Sequence, residues 1–304
     1  MLTRFFALSR TTHGILDIAM PGFAALLWLG TFPTWPVLFI SLLTAFAGYT
    51  AIYALNDLVA IKTDREKFAS GSLNEGYSVE ASAMRYPLAQ NILTARQGWL
   101  WFGFWYAIAL LGAYLLNPVI VWIVLAAAVL EVIYCRLLKV TYWRTLVSGL
   151  VKSAGPVSAV FVVEPHPSWP LLLLMLVWLM LWEIGGQNIP ADWNDVEEDR
   201  RVGAKTIPLT FGPQRAGLIV VITLTLTTLV SLFLPLIAPI PLGLPYLLGT
   251  AFIGVYLLIL PGIQLYQKRE SRQAARLFDR ASYYPLAQLT LITIFVLLHN
   301  WILI

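Results

Sequence analysis

Two short acidic runs contain the residues in this chain best suited to chemistry: Asn56-Asp57-Leu58-Val59-Ala60-Ile61-Lys62-Thr63-Asp64-Arg65 and Asp192-Trp193-Asn194-Asp195-Val196-Glu197-Glu198-Asp199-Arg200. On a continuous helix Asp57 and Asp64 lie about 20° from eclipsed and roughly 10 Å apart along the axis, with Tyr53 and Ala60 on the same face. Asn188, Asp192, Asp195 and Asp199 fall within about a 60° arc, with Pro190 expected to kink the helix among them. Stacked carboxylates repel, so such a ladder of oxygen ligands (Asn56, Asp57, Asp64, Asp192, Asp195, Asp199) calls for a hard divalent cation. Mg²⁺ is the fitting ion, because it binds through one or two carboxylates and fills its shell with water and phosphate oxygens. Arg65, Lys67, Arg200, Arg201 and Lys205, with Arg136 and Lys139 on a third loop, are candidates to bind the remaining phosphate oxygens. The plainer alternative is that each run is a solvated cap ending a membrane span.

These runs sit in a chain that is otherwise apolar. Of its 304 residues 59% are hydrophobic and 12% charged, with mean hydropathy +0.76, a balance too greasy for a water-soluble domain of this length. The pattern predicts an all-α integral membrane protein with a single domain over 1–304. The nine spans fall near 14–32, 35–55, 98–116, 118–135, 145–163, 169–188, 217–238, 244–263 and 285–304. Connections alternate between very short and long and charged. Gly14 to Phe32 is long enough to span, so no cleaved signal is expected. A single cysteine, Cys135, and three scattered His exclude an intrachain disulfide and a zinc site.

All of the 20 Lys and Arg except Lys152 fall on one side of this topology. The positive-inside rule therefore puts the N-terminus and both acidic runs in the cytoplasm and the C-terminus outside, in the inner membrane if the source is bacterial. A basic face of net charge +4 is drawn to anionic lipid, so membrane lipids and not nucleic acid are the expected partners. Asp17, Glu131, Lys152 and Glu183 fall in the cytoplasmic half of their spans, which predicts a central polar cavity opening to that side. Singly, each could equally be a helix-packing pair. Metal and cations beside a greasy cavity suit a diphosphate with a long apolar tail.

At these residues the chain resembles the UbiA superfamily of intramembrane prenyltransferases. Asn56, Asp57 and Asp64 match the family's first signature, and Asp192, Asp195 and Asp199 its second. The stretch Arg200-Arg201-Val202-Gly203-Ala204-Lys205-Thr206-Ile207-Pro208-Leu209-Thr210-Phe211-Gly212 is similar to the family's run immediately after its second signature. Weaker echoes are Arg85-Tyr86-Pro87-Leu88, Tyr134 to Lys139, and Gly149. The resemblance implies nine helices around a central cavity, with both acidic motifs binding Mg²⁺ and a prenyl diphosphate donor. It further implies ionisation to an allylic cation that an electron-rich acceptor, aromatic or another lipid precursor, attacks, as in quinone biosynthesis. Ala60 stands where the family carries an Asp. A terpene cyclase using the same ionisation, or a non-catalytic lipid-binding or transport homologue, are the alternatives.

The remaining polar residues read less sharply. Asp17, Tyr53, Glu131, Lys152, Glu183, Gln187 and Asn188 are candidates for the acceptor pocket or cavity wall, and Glu183 and Gln187, one turn apart and followed by Asn188, could as well bond across helices. Arg10 either reaches the diphosphate or anchors the first span. His13 and His166 sit at span ends and carry no assignment. Arg272, Arg276 and Arg280 have helical spacing that predicts a surface helix on anionic lipid.

Overall fold

The computed structural model describes residues 2–68 and 86–302. Among these residues are nine helices long and apolar enough to cross a membrane. They are α1 (Thr11–Leu29), α2 (Trp35–Lys67), α3 (Ala95–Leu116), α4 (Pro118–Lys139), α5 (Arg144–Val163), α6 (Trp169–Asn194), α7 (Ile207–Leu236), α8 (Gly243–Lys268) and α9 (Ser271–His299). The described residues contain no strand. Neighbouring helices pack in sequence, α2 on α3 and α4, α4 on α5, α5 on α1 and α6, and α9 returns onto α1.

Helix ends follow from local chemistry. Thr94 and Gln97 close α3 with a capping box, the Gln97 amide donating to Thr94 Oγ1 at 3.3 Å and the Thr94 amide to Gln97 Oε1 at 2.9 Å. Asn117 caps α4, accepting from the Val119 amide at 3.0 Å, and its Nδ2 donates to Phe161 O at 2.9 Å, fastening the tight α3–α4 turn to the end of α5. Gly212 stands at φ 76°, ψ 167°, a backbone turn open to glycine, so α7 changes direction there before Pro213 starts the membrane-crossing part.

Two helices depart from simple spans, and both departures serve the acidic runs. At 33 residues α2 is about 50 Å long, well beyond the ~30 Å hydrocarbon core, so its last three turns carry Asn56 to Lys67 out of the apolar layer. Helix α6 loosens into a π-helical turn over Glu183–Asn188, just ahead of Pro190, which has no N–H to give the i−4 carbonyl. The chain then breaks at Asp195 (φ −94°, ψ 15°) and restarts as the short helix Val196–Arg201, which packs on α2. The second run is thus two short helices and not one ladder.

The apolar core lies to one side. Trp178, Trp182, Tyr246 and Tyr284 are fully buried among α6, α8 and α9, with Phe23 of α1 against Trp178. Trp178 Nε1 donates to Tyr284 OH at 3.2 Å and Trp182 Nε1 to Ala281 O at 3.0 Å, so α6 and α9 are locked by indole hydrogen bonds as well as by packing. The segment with Arg272, Arg276 and Arg280 is not a separate surface helix but the first turns of α9. Gln273, Ala274, Leu277, Phe278 and Ala281 fall on one face and are buried, and Arg272 and Arg276 point outward. That interior stripe, hidden between the arginines, outweighs the basic pattern.

At the α2–α3 contact, a Cβ built on Gly112 would stand 2.0 Å from Thr44 Oγ1 and 3.0 Å from Thr44 Cβ. Overpacking of this kind costs about 1–3 kcal/mol. Gly112→Val should therefore lower the thermal midpoint in detergent, and Thr44→Ala in the same chain should recover most of the loss. Equal losses in the single and double variants would show that this contact does not set the α2–α3 distance.

Candidate functional site

Asp57, Asp64, Asp192 and Asp199 converge at one end of the bundle, all between 1% and 7% exposed. Buried carboxylates need cations, and three are supplied. Arg10, on the residue that caps α1, has Nη2 3.4 Å from Asn56 Oδ1 and 3.3 Å from Asp57 Oδ1. Lys67 Nζ reaches Asp199 Oδ1 at 2.6 Å, joining the end of α2 to the helix after α6. Arg144 Nη1 holds Asp192 Oδ1 at 3.0 Å, and its guanidinium lies over the Tyr134 ring, 4.1 Å from the centroid. Burial pushes the Asp199 carboxyl above its ordinary range, and Lys67 opposes that rise. Asp195 is half-buried at the break, its carbonyl accepting from the Asp199 amide at 2.8 Å.

Of the cations expected from sequence, Lys67 is at the site and the others sit elsewhere. Arg65 is exposed and donates to Asn91 Oδ1 at 2.9 Å, Arg200 is exposed against Glu197 at 3.0 Å, and Lys139 meets Glu66 at 2.6 Å with both side chains half-exposed. Arg136 is exposed, and Lys205 has an exposed side chain, its contribution being a backbone bond to Leu138 O at 2.8 Å. The reason is helical: successive residues are turned by about 100°, so an Arg directly after an Asp points off the acid's face, whereas Lys67, three residues beyond Asp64, shares it. Arg10 and Arg144 approach only through the tertiary fold. Arg85 lies outside the described residues.

Below this mouth runs a cavity of about 280 Å³, lined by α1 to α6 and by Phe278 of α9. None of its lining residues belongs to α7 or α8. Asn56 Nδ2 donates to Glu131 Oε1, while Asn188 accepts from Thr145 Oγ1 at 2.6 Å and donates to Tyr134 OH at 2.9 Å. Next comes a second polar group. Lys152 Nζ donates to Asp17 Oδ2 at 2.7 Å and to Tyr53 OH at 2.9 Å, Tyr53 OH donates to Asp17, and His13 Nε2 is 3.4 Å from Lys152. His13, which carried no assignment from sequence, is buried here and stacked on Phe278 with centroids 5.3 Å apart. Ser148 Oγ donates to Glu183 Oε1 at 2.6 Å, and Gln187 Nε2 reaches Ser282 Oγ at 3.2 Å.

Several buried atoms at the mouth and wall have no protein partner: Asp192 Oδ2, Arg144 Nε, Asn194 Nδ2, Glu183 Oε2 and Gln187 Oε1. Leaving such groups unmade costs roughly 1–3 kcal/mol each. Among the described residues no three His, Cys, Asp or Glu side chains converge as a ready metal cage.

Fold and site define a polytopic membrane protein with a charged mouth beside a cavity between the helices. Matched over residues 18–297, the chain belongs to the UbiA prenyltransferase family. A UbiA homologue from Aeropyrum pernix K1 superposes with TM-score 0.72 at 16% identity, over 93% of this chain and 97% of that one. A digeranylgeranylglyceryl phosphate synthase gives TM-score 0.68 at 15% identity, over 97% and 98%. A UbiA homologue from Archaeoglobus fulgidus bound to DMAPP and Mg²⁺ gives 0.66 at 14%, over 96% and 99%. At these identities the likeness is one of fold. A search of curated protein sequences found no match.

The Lys152–Asp17 pair is buried enough for removal of one partner to cost about 3–5 kcal/mol. Lys152→Met and Asp17→Asn should each lower the thermal midpoint, and the double variant should lose much less than the sum of the two. Strict additivity would contradict a direct pair.

Proposed function

We propose that the chain transfers a prenyl group from a prenyl diphosphate to an electron-rich acceptor, with Mg²⁺, at the cytoplasmic face. The observation that carries this reading is the pair of unpartnered buried atoms on the Arg144–Asp192 ion pair, Asp192 Oδ2 and Arg144 Nε. An open carboxylate oxygen suits a hard cation, and open N–H groups suit phosphate oxygens. The basic residues at this end of the bundle support a cytoplasmic mouth.

In this reading Asp57, Asp64, Asp192 and Asp199, with Asn56 and Asp195 beside them, hold the cation. Mg²⁺ would supply Lewis-acid neutralisation of charge on the leaving diphosphate. Arg10, Lys67 and Arg144 donate to its non-bridging oxygens, exchanging part of their bonds to the acids. The allylic C–O bond breaks with its electron pair on the diphosphate, and positive charge develops in the cavity next to the Tyr53 ring, whose face favours a cation. Apolar walls keep water from capturing it. The acceptor's electron pair forms the new bond, and Glu183, on the cavity wall with Oε2 unpartnered, is placed to take the proton then lost. Ala60 leaves the first run one carboxylate short of its family's pattern, which puts more of the cation's hold on Asp192 and Asp199.

Asp192→Ala and Asp199→Ala should each reduce Mg²⁺-dependent diphosphate release from allylic prenyl diphosphates by on the order of 10²–10³, the scale for losing one electrostatic stabiliser. The protein should remain folded in the membrane by thermal-shift assay. Wild-type release in both variants would remove the site assignment.

A further inference from the structure

The cavity is long. Helix α2 alone lines it from Asn56 at the charged mouth to Leu38 near the opposite end, eighteen residues or about 27 Å of helix, close to the ~30 Å hydrocarbon thickness. Beyond the Lys152 and Glu183 groups the walls are apolar or small apart from Tyr49 and Tyr106. At the far end they are Pro33, Leu38, Leu116 and Val163, residues of the membrane end away from the acids. Leu42, half-exposed, also lines it.

Three glycines line this space, and a Cβ on Gly22 would make only ordinary contact, 3.4 Å from the Leu289 methyls. A Cβ on Gly155 would come 2.6 Å from Tyr49 OH, so that glycine is a packing requirement. A Cβ on Gly48 would meet nothing within 4 Å, although Gly48 is in the middle of α2 and on the cavity wall. Glycine is a poor helix former, and its φ here is not positive. Neither turn geometry nor close approach accounts for it. What a side chain at 48 would take away is width.

We infer that Gly48 is a specificity-determining position that keeps the passage open for the tail of a long polyprenyl diphosphate. The inference rests on the donor reading above and deepens it by naming the donor class. Gly48 lies eight residues from Asn56, about 12 Å down the helix. A dimethylallyl tail ends before it, and a geranylgeranyl tail passes it towards the opposite membrane face.

The test measures Mg²⁺-dependent binding of two unreactive probes, the S-thiolodiphosphates of dimethylallyl and geranylgeranyl alcohol, to the full-length protein in nanodiscs. Wild type should bind the long probe more tightly. Gly48→Leu should weaken the long probe at least tenfold and leave the short one within twofold, which also shows that the variant is folded. Gly103→Leu is the control, because its Cβ also meets open space but Gly103 is exposed and off the cavity. It should change neither affinity. Equal effects of Gly48→Leu on both probes, no effect on either, or a wild-type preference for the short probe would overturn the inference and leave the donor reading standing. Binding of neither probe by wild type would overturn the donor reading, and the inference with it.

Discussion

Charge at the edge of hydrocarbon is the constraint on which the rest of this structure depends. Four buried carboxylates at one end of an apolar bundle are untenable alone, and each cation found against them comes from a different element: Arg10 at the start of α1, Lys67 at the end of α2 and Arg144 at the start of α5. These pairs tie together the very helix ends that form the mouth. Asp192 Oδ2 and Arg144 Nε, on either side of one of these pairs, have no further protein partner. A ligand carrying both a cation and anionic oxygens would partner both.

The helices are shaped to deliver these groups to that place. Helix α2 overshoots the membrane core to lift its acids to the interface, and α6 does the reverse, loosening through a π-turn and breaking at Asp195 so that its acids fold back onto α2. The same π-turn turns Glu183, Gln187 and Asn188 onto the cavity wall. One irregularity thus serves both the mouth and the chamber below it, in keeping with the frequency of π-bulges at functional sites.

Much of this was legible in the sequence because it rests on local pattern. Long apolar stretches gave the nine spans, and acids directly after two of them gave the mouth. Intramembrane Asp17, Glu131, Lys152 and Glu183 announced a polar cavity because lipid does not tolerate them otherwise. What sequence pattern did not give depends on direction and distance. Arg65 and Arg200 come directly after their acids in the chain but point away from them, a consequence of helical rotation. Arg144 lies far along the chain from Asp192, and His13 from Lys152 and Phe278. The start of α9 looked like a surface helix because its arginines are conspicuous and its buried stripe of Gln273, Ala274, Leu277 and Phe278 is mixed in polarity. An i, i+1, i+4, i+5 reading of that segment was the signal available.

The account's central claim is that both acidic runs share one cation and one diphosphate. Anomalous diffraction from crystals grown with Mn²⁺ and an unreactive prenyl thiolodiphosphate tests it directly. The account predicts Mn²⁺ between the first-run acids and Asp192 or Asp199, with the diphosphate against Arg10, Lys67 and Arg144. Metal bound outside this mouth, or a diphosphate held by the exposed Arg65, Arg136 and Arg200 instead, would contradict it.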